Sequence, residues 1–493
     1  MKIKSIHIFA AALSMALVAC DDYLDLDPIS EATSTNAYNS ASDAEAALTG
    51  VYDSFQAEYY IWDNVIFSDV ISDNHYAGGD NPEIFAVDNL DIQPVNNRLF
   101  NNWSQIYSAI AKANVVLQKV PEIDDPKIDV GNRRNQILGE AAFLRAYHYF
   151  QLVTLWGGVP LILEPVTSTN PAETQKPRNS EAEVYSQIIQ DLEFALADRL
   201  PDSYGSDAGV NKARATRGAA NALMAKVYAQ MPNRDYAKVL EHADAVISSP
   251  AGYRLLEDFR NLFDGNNYNN AESILEVQFI GGPEANFGPQ LLLPPSISGD
   301  TWRKFVTPSK DLIAAFDEAG DLIRKEASVL FESAPWADEF WSLQVNGMVP
   351  FAYRWKDANG WASTNRQYIF RLADIILLKA EALNELGRTD DALVELNKIR
   401  TRVALPAINS ATPAEFRQLV ENERRLELVQ EAERWNDLKR YGRAVDVMNS
   451  LVEIDLRTNQ PKVFNMDESK LLLPIPQQEI NRNPKLNQNP GYN

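Results

Sequence analysis

Residues 225–237, AKVYAQMPNRDYA, and residues 380–392, AEALNELGRTDDA, share one spacing of apolar side chains. In both stretches an alanine is followed three positions later by a larger apolar residue, Tyr228 or Leu383, and twelve positions later by a second alanine. Small residues at such positions let two neighbouring helices approach closely. The shared spacing therefore predicts one helix–turn–helix unit in each stretch.

This spacing resembles the tetratricopeptide repeat, in which helix pairs stack side by side. Ala146 and Tyr149 fit the first part of the same pattern. Because one unit cannot bury its apolar face alone, several must stack, and we expect about four. Unrelated amphipathic helices that share an alanine spacing by chance are the alternative. The expected fold is mainly α, a scaffold of tetratricopeptide-like helix pairs.

Three capping signals predict helix starts. Residues 42–45 and 180–183 have the Ser-x-x-Glu form, in which the two side chains satisfy free backbone N–H groups. Residues 412–415 run Thr-Pro-Ala-Glu, with Pro413 at the first helical position, where its missing N–H costs nothing. The first of these helices should run to about residue 56. Its expected buried positions include Ala46, Leu48, Val51 and Tyr52.

Two insertions are expected to interrupt the scaffold of a single domain over residues 41–493. Residues 57–99 and 251–362 lack a long 3.6-residue period and are rich in Asn, Gly, Pro and aromatic residues. Alternation over residues 273–279 indicates a short strand. Since irregular segments on a rigid scaffold carry most binding sites, we expect ligands to bind the insertions. The scaffold segments are residues 41–56, 100–250 and 363–445.

The chain begins with an export leader. Lys2 and Lys4 precede an apolar run of residues 6–19, shorter than the ~20 residues that cross a bilayer. The run ends in Leu-Val-Ala before Cys20, like a lipobox, and Cys20 is the only cysteine. It can form no internal disulfide, so we expect removal of residues 1–19 and lipidation of Cys20. A spare buried thiol is the alternative.

Residues 20–40 would then form a lipidated tether. Four aspartates fall within residues 21–27. This acidic run resembles a surface-export signal of lipoproteins, and a solvated spacer explains it equally well.

The formal net charge of the chain is −22. So acidic a surface repels nucleic acid and anionic lipid headgroups. We therefore expect no nucleic-acid partner and contact with a membrane only through the lipid anchor. Neutral sugars are compatible with this charge.

The sequence carries no recognisable catalytic or metal-binding motif. His75, His148 and His242 have no partner at metal-ligand spacing. A Gly-x-Ser-x-Gly elbow, a His-Glu-x-x-His helix and a glycine-rich phosphate loop are all missing from the sequence. We therefore predict no catalytic residue, no metal ligand and no enzymatic activity.

Two groups of carboxylates allow alternative interpretations. Glu423, Glu427 and Glu431 lie four apart on one helix face, as glycosidase carboxylates could, but interleaved arginines favour an ion-pair network. Pairing lowers the pKa of a glutamate, whereas a general acid needs a raised one. The interleaved arginines are Arg424, Arg425 and Arg434.

Five aspartates could supply oxygen ligands to calcium, although their spacing matches no fixed loop motif. No cofactor is expected, and calcium is the alternative. The five are Asp69, Asp73, Asp80, Asp88 and Asp91.

Aromatic residues concentrate in the two insertions. Five of nine tryptophans fall in the second one. Flat rings stack on the C–H faces of sugars while short polar side chains bind the hydroxyls, so these residues suggest a glycan platform. Tryptophans are more often packing residues, and only two or three should contact ligand. The candidate ligand residues are Trp62, Asp73, Asn74, His75, Tyr76, Trp302, Trp336, Trp341 and Trp361.

Several ordered segments resemble the SusD/RagB family over nearly the whole chain after the leader. The most recognisable are GEAAFLRAYHYF at 139–150 and LWGGVPL at 155–161. The others are ATRGAA at 215–220, RLADIILLKAE at 371–381, NKIR at 397–400, ERRLEL at 423–428, RWNDLKR at 434–440, LPIP at 473–476 and QNPGY at 488–492.

The resemblance implies a SusD-like α/α superhelix and a lipoprotein of the outer membrane that faces the exterior. It also implies an oligosaccharide ligand and a partner, a SusC-like TonB-dependent channel that receives it. Capture of peptides or glycopeptides is an alternative within the family. A structural tetratricopeptide adaptor is a second alternative, which would place polar and aromatic residues on the helical face instead of in the insertions.

Overall fold

The computed structural model describes residues 38–301, 305–334, 348–455 and 460–492. The predicted leader at residues 1–19, the predicted lipidation residue Cys20 and most of the predicted tether lie outside these ranges. Within them the chain is mainly α, as the sequence predicts.

The described part of the chain contains nineteen α-helices. They are α1 (Ala41–Tyr52), α2 (Pro82–Asp88), α3 (Asn97–Lys119), α4 (Arg133–Trp156), α5 (Pro171–Thr174), α6 (Glu181–Leu196), α7 (Ala208–Ala213), α8 (Arg217–Gln230), α9 (Tyr236–Ile247), α10 (Gly288–Leu292), α11 (Pro295–Ser298), α12 (Lys310–Ala319), α13 (Leu322–Ser328), α14 (Leu372–Glu385), α15 (Thr389–Arg402), α16 (Pro413–Glu427), α17 (Arg434–Arg440), α18 (Ala444–Ser450) and α19 (Gln477–Arg482).

Eight short strands form four antiparallel pairs in the same residues: β1 with β3, β2 with β6, β4 with β5, and β7 with β8. The pairing of β2 with β6 joins the two ends of the second insertion, and the predicted strand at 273–279 is confirmed as β2. The strands are β1 (His75–Tyr76), β2 (Ser273–Val277), β3 (Thr307–Pro308), β4 (Val329–Ser333), β5 (Met348–Ala352), β6 (Gln367–Arg371), β7 (Ile454–Asp455) and β8 (Gln460–Pro461).

The long helices form a stack in which each packs on the next along the chain. The order of contacts is α1, α3, α4, α6, α8, α9, α14, α15 and α16. The first eight form four consecutive pairs, in agreement with the expected helix-pair scaffold. The second insertion lies between α9 and α14, which nevertheless contact each other directly.

Small side chains allow the close packing of these pairs. Ala225, Ala380 and Ala392 are fully buried where the repeat spacing predicts them. Ala237 is exposed, so the spacing fails at that position. Ala243, further along α9, is buried instead. It lies on the face of α9 that packs against the neighbouring helices.

The capping signals are confirmed at two of three helix starts. Ser180 with Glu183 and Thr412 with Glu415 form complete capping boxes at α6 and α16. At α1 the box is Ser40 with Asp43, two residues earlier than predicted. The carboxylate of Glu45 is instead paired with an arginine of α4.

The burial predicted for α1 holds for part of its face. Leu48 and Val51 are fully buried, whereas Tyr52 is only partly buried and Ala46 is exposed. Ala44 takes the buried position, since the earlier start of the helix does not change which face meets α3 and α4.

The first insertion is regular and largely buried, contrary to the expectation of an irregular ligand loop. Tyr59–Asp63 and Ile66–Val70 form π-helical turns whose residues are all buried. These turns pack on α3 and α17. Their i→i+5 hydrogen bonds do not repeat every 3.6 residues, which is why the helical period is missing from the sequence.

A buried ion-pair network fixes the second insertion to the scaffold. Glu427 is 0 % exposed at the end of α16 and lies 2.6 Å from Arg371 of β6 and 3.0 Å from Arg324 of α13. It also binds Arg402 of α15. Arg371 in turn bonds Glu431 at 2.6 Å. The prediction that Glu423, Glu427 and Glu431 form ion pairs is confirmed, but the prediction that the interleaved Arg424, Arg425 and Arg434 are their partners is wrong.

The arginines that pair with these glutamates come from distant parts of the chain. The neighbouring Arg424 instead binds Asp374 at 2.7 Å and Asp437 at 2.8 Å. Arg425 binds Asp311. A helix places i and i+1 on different sides, so adjacent residues of α16 meet different parts of the fold.

Charge pairing sets the protonation of Glu427. Burial alone would raise the pKa of this carboxyl, but Arg402, Arg371 and Arg324 outweigh the effect and hold its pKa well below the usual range. Glu427 therefore remains ionised in the folded protein, as a structural carboxylate does.

Replacing Glu427 by glutamine should lower the free energy of unfolding by about 3–5 kcal/mol, because three buried guanidinium groups lose their shared counter-charge. The folded pKa is depressed, so the stabilisation is full above the unfolded pKa of about 4.3 and disappears as the pH falls below it. Chemical unfolding of both proteins from neutral to acid pH measures the difference. Glu241→Gln, which breaks an exposed pair with Lys238, is the control and should change little. An equal effect of the two substitutions at neutral pH would contradict this assignment.

Candidate functional site

One large aromatic side chain stands out on the described surface of the second insertion. Trp361 is 43 % exposed. It ends a short 3₁₀ turn, Asn359–Trp361, that is flanked by Asp357 and Ser363. We call residues 357–363 the Trp361 loop.

The Trp361 loop has an unusual backbone. Asn359, Gly360 and Trp361 have φ of 45°, 57° and 76°, so three consecutive residues are left-handed. Left-handed conformations of residues other than glycine are costly and persist where the surroundings enforce them, often at ligand-binding positions. The left-handed backbone of residues 359–361 therefore makes the loop a candidate ligand-binding element.

Local hydrogen bonds hold the loop. The Asn359 N–H donates to the Asp357 carboxylate at 3.0 Å, and the Asn359 amide donates to the Ala362 carbonyl at 3.2 Å. The Ser363 hydroxyl donates to the Asp357 carbonyl at 2.6 Å. The loop is therefore closed by its own side chains.

Two buried asparagines fasten this closed loop to the insertion. Asn365 accepts hydrogen bonds from the N–H groups of Lys356 and Asp357, at 2.8 and 2.9 Å. The Asn286 side chain donates to the Asn365 carbonyl at 2.9 Å, and the backbone N–H of Asn286 donates to the Ser363 carbonyl at 2.9 Å. The loop that carries Trp361 is thus held in place by hydrogen bonds to buried residues.

This arrangement suits a ligand with both flat apolar faces and hydroxyl groups. The side chain of Trp361 is 43 % exposed, and Asp357 and Asn359 lie four and two positions before it along the loop. A preformed site with an aromatic face and a few polar groups matches the general character of small-ligand sites.

Three predicted ligand residues of the same insertion, Trp302, Trp336 and Trp341, lie outside the described residues. Trp361 is the predicted residue that the structure places on the described surface.

The predicted residues of the first insertion are buried. Trp62 is 3 % exposed, with Arg98 over its ring and its N–H directed to Glu58. Tyr76 lies in β1 and is also buried. The aromatic residues of this insertion fill space between helices, and the site we consider does not include them.

The polar ligand residues predicted in the first insertion form ion pairs and hydrogen bonds inside the protein. Asp73 binds Arg434 at 2.7 and 2.8 Å, and Arg425 and Arg434 hold its pKa below the usual range despite its burial. Asn74 accepts a hydrogen bond from Arg425 at 2.8 Å. His75 meets Gln430 at 3.1 Å, and burial, with Arg425 and Arg354 nearby, lowers the pKa of His75 to about 3. His75 is therefore neutral in the folded protein.

The five aspartates considered for calcium have separate partners or lie apart. Asp69 accepts from Asn74 and Gln430, Asp88 binds Lys462 at 2.6 Å, and Asp91 accepts from Gln93. Asp73 is paired with Arg434, and Asp80 is exposed. No three His, Cys, Asp or Glu residues converge on a metal position within the described ranges.

The residues that hold the Trp361 loop are not among those predicted from the sequence, namely Asp357, Asn359, Asn286 and Asn365. One signal was available. Asn-Gly at 359–360 is a dipeptide that favours left-handed turns, and it directly precedes the exposed tryptophan. The supporting asparagines 286 and 365 give no local signal, because their partners are distant in sequence.

A stack of tetratricopeptide-like helix pairs that carries a rigid, ring-bearing loop defines a binding protein on a helical scaffold. A family model described as "SusD family" matches residues 332–492, and one described as "Starch-binding associating with outer membrane" matches residues 22–229. The chain belongs to the SusD/RagB family.

Relatives match the chain from end to end. Two SusD-like proteins of Formosa agariphila are 29 % and 28 % identical and cover 99 % and 100 % of this chain and 100 % of their own length. A solved "laminarin binding SusD-like protein" is 28 % identical, with a TM-score of 0.74, and the match covers 92 % of this chain and 99 % of that one.

A SusD superfamily protein from Bacteroides vulgatus has a TM-score of 0.78 at 22 % identity, covering 92 % of this chain and all of that one. It supports the fold. Across the described residues, no helix is long and apolar enough to span a membrane.

Gly360→Ala should lower the free energy of unfolding by about 1 kcal/mol, because an L-residue is strained at φ 57° although no atom lies within 4 Å of the added methyl group. Gly50→Ala in α1 is the matched control, since its added methyl also meets no atom within 4 Å. That change should raise stability by up to about 1 kcal/mol, because alanine favours a helix. Chemical denaturation measures both, and equal stabilisation by the two changes would contradict the described loop.

Proposed function

We propose that this protein is an outer-membrane lipoprotein that captures oligosaccharides and passes them to a SusC-like TonB-dependent channel. The observation that carries the proposal is the exposed ring of Trp361 on its hydrogen-bonded loop. Membership of the SusD/RagB family supports the same role, since one matching family model is described by starch binding and association with the outer membrane.

A neutral glycan is the ligand class we favour. The laminarin-binding relative spans nearly all of this chain at 28 % identity, so a β-glucan oligosaccharide is the first ligand to test. The net charge of −22 disfavours polyanionic polysaccharides. Trp302, Trp336 and Trp341 remain proposed ligand residues beside Trp361.

Capture of a peptide or glycopeptide is the second candidate. Stacking on Trp361 and hydrogen bonds from Asn359 could also serve a peptide with aromatic side chains. We favour the glycan because a relative that is 28 % identical over nearly its whole length is a laminarin-binding protein.

Attachment to the membrane is assigned to Cys20. Acylation of this only cysteine would hold the protein at the outer membrane through its tether, and several chains on one residue give stable anchoring. The acidic tether at residues 21–27 would then direct the body of the protein to the exterior, where its ligand arrives.

Trp361→Ala should weaken binding of laminarin oligosaccharides at least about fivefold, since loss of an aromatic contact is worth about 1 kcal/mol. Isothermal titration of the soluble protein without its leader and Cys20 measures this. Phe194→Ala removes an exposed ring from the scaffold helix α6 and should leave the affinity unchanged. Binding of peptides but of no neutral glycan would favour the second candidate, and equal effects of the two substitutions would refute a role for the Trp361 loop.

Cys20→Ser should release the protein from the membrane fraction of cells, because the serine hydroxyl cannot carry the thioether-linked lipid. Fractionation and immunoblotting compare it with the unsubstituted chain, which should stay with the membranes after a salt wash. Protease added to intact cells should digest the unsubstituted protein if it faces the exterior. Retention of Cys20→Ser in the washed membranes would contradict the proposed anchor.

A further inference from the structure

A second recess lies between the helical scaffold and both insertions, and Trp361 does not line it. The space inside it that water can reach is about 90 Å³, room for several water molecules. We call it the central cleft. Its walls come from α4, α8, β6, α17 and the turn at residues 430–433, with Tyr60 and Asn64 from the first insertion and Trp355 from the second.

Carboxamide side chains are the main uncharged polar groups of the central cleft. Asn436 is half-buried, and its side chain makes no hydrogen bond within the described structure. The side-chain oxygen of Gln151 accepts a hydrogen bond from the Tyr59 hydroxyl at 2.8 Å, so its NH₂ group can donate to a ligand in the cleft. Gln367 donates to the Ile61 carbonyl at 2.5 Å, which leaves its oxygen. The cleft therefore presents both donors and acceptors, as a hydroxyl-bearing ligand requires.

Aromatic rings form the remaining contact surface. Trp355 and Tyr368 line the cleft and are partly exposed. Tyr60, Tyr147 and Phe150 also line it, but they are buried. Rings alternating with amides suit a molecule that has apolar C–H faces edged by hydroxyls.

The charged groups of the cleft are matched within the protein. Lys226 lies 2.7 Å from both Asp374 and Glu433, and Arg354 lies 2.8 Å from Glu431. The other charged lining residues are also paired: Arg366 with Glu276, Arg424 with Asp374 and Asp437, and Arg440 with Glu381. An ionic ligand would find no unpaired counter-charge among these residues, whereas a neutral ligand needs none.

One wall of the cleft is a strained turn. Gln430 and Ala432 have φ of 63° and 61° on either side of Glu431. The buried carboxylate of Asp69 accepts the Gln430 N–H at 3.0 Å, and Gln430 also meets His75. Non-glycine residues in this conformation recur at ligand clamps and need such support.

We propose that the central cleft is a second binding site, separate from the Trp361 loop, that takes a neutral hydroxyl-rich molecule the size of one sugar ring. Amides of Asn436, Gln151 and Gln367 bind its hydroxyls, and the rings of Trp355 and Tyr368 contact its C–H faces. The inference does not depend on capture at the Trp361 loop, since the two sites share no residue.

The test is isothermal titration of the Trp361→Ala protein, which lacks the surface ring, with glucose, galactose, mannose and xylose. Glucuronate and glucose phosphate are the charged counterparts. Asn436→Ala removes a cleft amide whose side chain makes no hydrogen bond within the described residues, and Asn436→Leu also blocks the cleft. Asn422→Ala is the matched control, because Asn422 is exposed on α16 away from the cleft.

A neutral saccharide should bind the Trp361→Ala protein, and Asn436→Ala should weaken that binding at least about fivefold, the effect of one hydrogen bond. Asn436→Leu should abolish it, and Asn422→Ala should leave it unchanged. The proposal is overturned if no neutral saccharide binds, if the charged counterparts bind as well as the neutral ones, or if both Asn436 variants bind normally. Unchanged melting temperatures show that the variants are folded. Failure here would leave oligosaccharide binding at Trp361 intact, so the two hypotheses fail separately.

Discussion

The shared carboxylate of Glu427 is the interaction on which the arrangement of this protein depends. It joins α16 to β6, α13 and α15 through Arg371, Arg324 and Arg402. Two of these arginines, Arg371 and Arg402, also share Glu272 at the start of β2. Buried ion pairs are not in themselves a strong source of stability, but an unpaired buried charge is costly. The network therefore disfavours any packing in which the second insertion separates from the helix stack.

Both proposed sites follow from this constraint. The insertion closes on itself through β2 and β6, and the network seats that strand pair on the scaffold. The Trp361 loop precedes β6 along the chain, and residues of β6 form part of the wall of the central cleft. Buried polar residues of the first insertion support the wall of the central cleft. Asp69 and His75 form hydrogen bonds with Gln430 in the strained turn at residues 430–432.

The two sites differ in physical character. The Trp361 loop is exposed and presents one ring, which fits contact with part of a long chain. The central cleft is recessed, lined by amides and internally neutral, which fits a small ligand that is surrounded. A glycan-capturing protein with both could hold an oligosaccharide at its surface and a molecule the size of one sugar ring within, and each site would be selective through a different set of contacts.

The sequence by itself determined the helix pairs, the caps at Ser180 and Thr412, and the family. These features rest on repeated spacing and on neighbours a few positions apart, which the order of residues specifies directly. It did not determine which polar and aromatic residues face solvent. Trp62 and His75 looked as accessible as Trp361, and the partners of Glu427 lie far away in the chain. Only the tertiary structure decided these points, because burial and ion pairing depend on what distant segments pack against a side chain.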